Sequence, residues 1–121
     1  MTFTHTALAT AVVLVHCTSA AWAPVPWMVW TVDAFDYPIA AAPDATDPNN
    51  FYVTEKGTGN HQITKMTIDG ATSAFVGAGI EGYADGLGAS ASLAKPHGAV
   101  TAPDGTLYFA DRDNDAVRTA N

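Results

Sequence analysis

The chain has 121 residues, room for one domain, with 12 Asp+Glu against 5 Lys+Arg and a formal net charge of −7. That balance argues against nucleic acid and anionic membrane, which both reward clustered Lys and Arg. A hydrophobic fraction of 48% with 10 Gly and 7 Pro excludes a disordered composition and suits a turn-rich β protein.

Residues 1–23 read as a secretory signal peptide. Ala7 to Cys17 is an apolar run of suitable length for its core and too short to span a bilayer. Small residues follow at Thr18, Ser19, Ala20 and Ala21, placing cleavage after Ala20, Ala21 or Ala23. The leading segment has no Lys or Arg, so an uncleaved apolar anchor is the alternative. Cys17 is the sole cysteine. Cleavage removes it, and with it any disulfide, Cys-ligated zinc or thiol nucleophile. No Asn-x-Ser/Thr sequon is present, and no second apolar run is long enough for a transmembrane helix. The expectation is a secreted chain with no membrane span.

Residues 24–28 form a Pro-rich linker. Trp27 to Val32 is aromatic and β-branched, as strands are. Ile39 to Ala42 is a short apolar run, and Pro43 to Asn50 is a loop of turn formers. Phe51 to Thr54 is the next strand, and Glu55 to Asn60 reads as a hairpin loop around Gly57 and Gly59. His61 to Ile68 alternates Ile63, Lys65 and Thr67 against Gln62, Thr64, Met66 and Ile68. Asp69-Gly70 signals a tight hairpin, and Thr72 to Val76 closes a four-stranded meander. In the long connection Gly77 to Pro96, Ala89 to Leu93 can make one helical turn. Gly98 to Thr101, Thr106 to Ala110 and Asp115 to Ala120 then read as strands. Turns at Ala102 to Gly105 and Asp111 to Asn114 separate them.

The order of segments repeats. Pro38, Glu55 and Asn60 in the first copy correspond to Pro96, Asp111 and Asn114 in the second. The offsets are 58, 56 and 54 residues, so small insertions sit in the loops of the first copy. Recurrence in fixed order is the mark of a repeat architecture. A residue type present in each copy serves the repeat's own structure first.

Residues 29–121 resemble NHL repeats, the six-bladed β-propeller family. The resemblance rests on Phe51-Tyr52-Val53-Thr54-Glu55, Asn60-His61-Gln62-Ile63, Phe75-Val76-Gly77-Ala78-Gly79 and Gly82-Tyr83-Ala84-Asp85-Gly86. Lys95-Pro96-His97-Gly98 and Pro103-Asp104-Gly105-Thr106-Leu107-Tyr108 extend it into the second copy. Gln62 departs from the family's Leu or Arg, and Asn114-Asp115-Ala116 keeps the Asn but loses the His. The resemblance implies an all-β fold of four-stranded antiparallel blades. Repeat 1 covers about 38–76 and repeat 2 about 96–121. Two repeats make an incomplete six-bladed propeller, so the expectation is a fragment of a longer protein, or else self-assembly of copies.

Several residues invite a chemical reading. Gly77-Ala78-Gly79-Ile80-Glu81-Gly82 spells G-x-G-x-x-G, but a loop follows where a dinucleotide site needs a helix N-terminus. Positive φ in the connection explains these glycines better. Asp111, Asp113 and Asp115 are spaced like the start of an EF-hand, yet Ala116 stands where Gly is needed. Calcium at this acidic turn, outside an EF-hand, is the one cofactor candidate. His97 opens an innermost strand, where a channel metal would need ligands from several blades. The metal candidates are thus His97, Asp111, Asp113 and Asp115. Glu55 and Asp111 recur at equivalent positions, which favours hydrogen bonds to turn backbone over catalysis. The same logic assigns Tyr52 and Tyr108 to blade packing. No catalytic or cofactor-binding residue is assigned.

The resemblance implies a secreted, non-catalytic platform for a protein or small-molecule ligand. The alternative is a fragment of a metal-dependent propeller enzyme. Relatives of the fold include a peptidylglycine amidating lyase using zinc and calcium, and gluconolactonase-like hydrolases using a divalent metal.

Overall fold

The computed structural model describes residues 31–32 and 35–121. The signal peptide, the linker and most of the first expected strand lie outside the described residues. Thr31 and Val32, the described part of that strand, are not in a strand.

Seven strands follow in two sheets. The first sheet holds β1 (Pro38–Pro43), β2 (Asn50–Gly57), β3 (Asn60–Thr67) and β4 (Thr72–Gly79). The second holds β5 (Pro96–Thr101), β6 (Leu107–Asp111) and β7 (Ala116–Ala120). Each is an antiparallel meander in chain order, so the fold is all-β with a repeated sheet unit.

The turns explain the strand boundaries. β2 and β3 pair as far as Gly57 with Asn60, leaving a two-residue turn where a six-residue loop was expected. Gly59, at φ +81°, supplies the left-handed residue this turn needs. Asp69-Gly70 makes the β3–β4 turn, with the Gly70 N–H donating to the Thr67 carbonyl at 2.9 Å. Gly105 does the same for the β5–β6 turn, donating to the Ala102 carbonyl at 2.9 Å. β4 runs on to Gly79, so Gly77 and Gly79 end a strand rather than open the connection. A register shift between His61 and Ile63 marks where β4 bulges against β3. A Cβ on Gly77, at φ +112°, would lie 2.7 Å from the His61 carbonyl oxygen. Gly77→Ala therefore lowers the unfolding free energy by about 2–3 kcal/mol. Gly59→Ala, with nothing within 4 Å of the new methyl, costs about 1 kcal/mol. Urea unfolding of the two variants checks the order.

The connection between the sheets is folded onto them. Its one helical turn is a 3₁₀ turn at Gly88–Ser90, one residue earlier than expected, and the chain is extended again by Ala91. Ala78 N–H donates to the Ala91 carbonyl (2.8 Å) and Gly82 N–H to the Leu93 carbonyl (3.0 Å). Those bonds carry Leu93 into the core. The Asp111–Asn114 turn is likewise a 3₁₀ turn at Arg112–Asn114, with Asp111 itself ending β6.

The core is the seam between the sheets. Ala42, Tyr52 and Ile63 of the first sheet meet Leu93, Leu107 and Phe109. Register fixes the faces. Ala42 opposes Tyr52 and Thr54 opposes Ile63, so all four share one face of the first sheet. Leu107, Phe109 and Asp111 alternate onto the face of the second sheet that covers it.

Candidate functional site

The two repeat-equivalent carboxylates are both buried and hydrogen-bonded through both oxygens. Glu55 is buried two residues before the end of β2. Its Oε2 accepts the Asp36 N–H at 2.7 Å and the Asn60 side-chain amide at 3.0 Å. Its Oε1 accepts Gln62 Nε2 at 3.3 Å and the Thr64 hydroxyl. Asp111 is buried at the end of β6. Its Oδ1 accepts the Ala94 N–H at 2.7 Å. Its Oδ2 accepts the Asn114 amide at 2.8 Å and Arg118 Nη1 at 2.9 Å.

Three donors of the two clasps correspond at the sequence offsets, while Gln62, which also donates to Glu55, falls on Ala116 and has no counterpart. Asp36 corresponds to Ala94, Asn60 to Asn114 and Thr64 to Arg118. In each, a carboxylate at or near the end of the sheet's second strand holds the backbone two residues before the preceding strand. It also grips the Asn that precedes or opens the following strand. The residue before each first strand, Tyr37 or Lys95, is left-handed at φ 54° and 53° and precedes a proline. Non-glycine residues avoid this region at a cost of about 1 kcal/mol or more, so the clasp compensates a strained corner. The expected hydrogen bonds from turn backbone are thus present, through Asp36 and Ala94.

Arg118 was not singled out from the sequence. It sits seven residues beyond Asp111, where the hairpin returns it to the same face as Phe109. Its guanidinium donates to the Ser92 carbonyl (2.6 Å), the Ala84 carbonyl (2.7 Å) and Asp85 Oδ1 (2.8 Å), besides Asp111. It lies 5.4 Å from the centre of the Tyr83 ring. Burial pulls its pKa down, but the hydrogen bonds to Asp111 and Asp85 outweigh that and raise it. An open cleft of about 430 Å³ lies over it, lined by Val76, Tyr83, Asp85, Leu93, Phe109 and Val117. With two carboxylates on one guanidinium, the cleft offers no free positive charge to an anion.

A second cluster was also missed. Asp44, in the turn-rich β1–β2 loop, buries its carboxylate. It accepts the Thr46 hydroxyl (2.7 Å), the Thr46 N–H (2.9 Å), the Tyr52 hydroxyl (3.0 Å) and Lys65 Nζ (3.1 Å). The bonds from Thr46 hold Asp44 far below the usual carboxylate range, and those from Lys65 and Tyr52 add to the effect. A depressed folded pKa stabilises above the unfolded value of about 4 and loses that contribution as pH falls below it. Asp44→Asn therefore destabilises most at about pH 7, and its gap to wild type narrows towards about pH 3. Urea midpoints at the two pH values check this.

The metal candidates do not converge. Asp111 faces inward and is fully engaged. Asp113 pairs with Lys95 and lies 3.8 Å from Arg112 Nε. Asp115 is exposed in a left-handed turn. His97 Nδ1 lies 3.0 Å from the Lys95 carbonyl. Among the described residues, no group of three or more His, Cys, Asp or Glu side chains is arranged to hold a metal ion. His61, the other histidine of the described residues, is buried and its Nδ1 accepts the Lys95 N–H at 3.0 Å. It ties β3 to the start of the second sheet.

Fold and clasps together define a β-rich repeat protein of stacked antiparallel sheets. No family model matches the chain, and no curated protein matches it. Among the described residues, no helix is long and apolar enough to cross a membrane.

Proposed function

We propose that the chain is a secreted, non-catalytic binding module built of NHL-type propeller blades, part of a larger ring. The observation that carries the reading is the duplicated clasp. Both buried carboxylates of the repeat spend their oxygens on holding strand corners, which leaves neither free for acid–base work or for a metal. A platform needs rigid sheets, and the clasps supply that rigidity. Two sheets that stack in chain order, each an antiparallel meander, are what consecutive blades look like.

The test has two arms. The full chain is offered to secreted proteins under chemical cross-linking, and it is assayed on lactone and peptidyl-hydroxyglycine substrates with added zinc or calcium. Specific cross-links without turnover support the platform. Turnover that depends on the added metal replaces it with the enzyme alternative. N-terminal sequencing of the exported chain tests secretion, with cleavage expected after Ala20, Ala21 or Ala23.

A further inference from the structure

Two histidines converge on one residue. Lys95 is the last residue of the connection before β5 and sits in the left-handed region at φ 53°. His61 Nδ1, from β3 of the first sheet, accepts the Lys95 N–H at 3.0 Å. His97 Nδ1, from β5 of the second sheet, lies 3.0 Å from the Lys95 carbonyl oxygen. These partners fix where the ring protons are. A backbone N–H only donates, so His61 Nδ1 is bare and the ring proton is on Nε2. A carbonyl only accepts, so His97 Nδ1 carries a proton. The preceding residue is held too. The Ala94 N–H donates to Asp111 Oδ1 at 2.7 Å, and the Ala94 carbonyl accepts the Asp113 N–H at 3.0 Å. Of these four bonds on the corner, only the one from His61 comes from the first sheet.

A proton acts on the two histidines in opposite ways. An imidazolium donates from both nitrogens and accepts at neither. Charging His61 sets one N–H against another, and the bond to Lys95 is lost. Charging His97 leaves its Nδ1–H on the Lys95 carbonyl. The groups around His61 offer no replacement partner for a charged ring. Lys56 stands opposite on β2 with Nζ over the Tyr37 ring, and Gly79, opposite on β4, has no side chain. The connection brings Glu81 and Lys95, and Lys95 Nζ pairs with Asp113, which shares its turn with Arg112 and Asp115. Among the described residues, neither imidazole is ion-paired with a carboxylate. His61 is also only 6% exposed, so water replaces the lost bond poorly. We infer that His61 is a pH-sensitive latch between the sheets, closed when neutral and open when protonated. Acid frees β3 from the Lys95 corner, while His97, Asp111 and Asp113 keep the corner on the second sheet. At the other end of β5, the Thr101 hydroxyl donates to the Pro43 carbonyl at 2.6 Å, and neither group titrates. The seam therefore loosens at one end only. The unfolded chain has no such bond to lose. The latch thus stabilises above the imidazole range and loses that contribution as pH falls from about 8 to about 5. This inference goes beyond the proposed function and needs only the two sheets and their corner.

The test is nuclear magnetic resonance on the full wild-type chain at about pH 7.5 and about pH 5. Imidazole nitrogen shifts read the tautomers, and hydrogen exchange, corrected for its intrinsic pH dependence, reads the amides. At the higher pH, His61 is expected as the Nε2–H tautomer and His97 with its proton on Nδ1. As His61 charges, protection of the Lys95 amide should fall about tenfold. The Ala102 amide, bonded to the Thr106 carbonyl at the other end of β5, should keep its protection. His61→Asn places an acceptor that does not titrate near the Nδ1 position and should abolish the acid response. His97→Asn should leave that response in place. A His61 proton on Nδ1 at about pH 7.5 overturns the inference, and so does Lys95 protection that ignores the charging of His61. An acid response that survives in His61→Asn also overturns it and moves the switch to another group. If His61→Asn does not fold, the wild-type tautomer and the Lys95 amide still decide.

Discussion

Asp111→Ala lowers the unfolding free energy by about 3–5 kcal/mol, the cost of stripping a buried cation of its partner. The substitution leaves the Arg118 guanidinium with one carboxylate, the water-exposed Asp85, beside the Ser92 and Ala84 carbonyls, and takes an acceptor from the Ala94 N–H and the Asn114 amide. A domain of this size has about 5–15 kcal/mol of stability in all, so the variant approaches the unfolded state. Its sibling gives the control. Glu55 accepts from neutral donors only, a backbone N–H, two side-chain amides and a hydroxyl. Removing it orphans those donors at about 1–3 kcal/mol, less than Asp111. Urea unfolding followed by far-ultraviolet circular dichroism ranks the two. Asp111→Ala combined with Arg118→Met should recover part of the loss, because the uncompensated charge goes with it. If Glu55→Ala costs as much as Asp111→Ala, the ion pair contributes nothing beyond its hydrogen bonds.

The repeat was legible because both copies keep the same order of turn residues, strand residues and terminal carboxylate. Asp69-Gly70 and Pro103-Asp104-Gly105 located their turns, since each fixes a backbone shape that few other residues allow. Glu55 and Asp111 were legible as structural from their recurrence alone. Their partners were not. Thr64 and Arg118 do the same work from the same register position with unrelated chemistry, so no similarity of residue type connects them. Asp44 was hidden for another reason: its cation, Lys65, lies 21 residues away on β3, and the loop around it reads as solvated. The six-residue hairpin expected at Glu55 to Asn60 closed to two because Lys56 and His61 pair across it, a contact that local propensity does not encode. Burial was the least legible quantity. Tyr52 and Tyr108 are the same residue at the same place in the repeat, yet one is core and the other is half-exposed. Only the presence of a covering sheet separates them.

Phe109→Ala and Tyr108→Ala turn that difference into a measurement. The two residues are neighbours on β6 and point to opposite faces. Phe109 is buried against Tyr52, Ile63, Leu93 and Leu107, and truncating it leaves a cavity in the seam worth about 3–5 kcal/mol. Tyr108 stands on the uncovered face, and its loss costs about 1 kcal/mol of strand propensity and neighbour packing. The reverse order would mean that the second sheet meets the first through its other face.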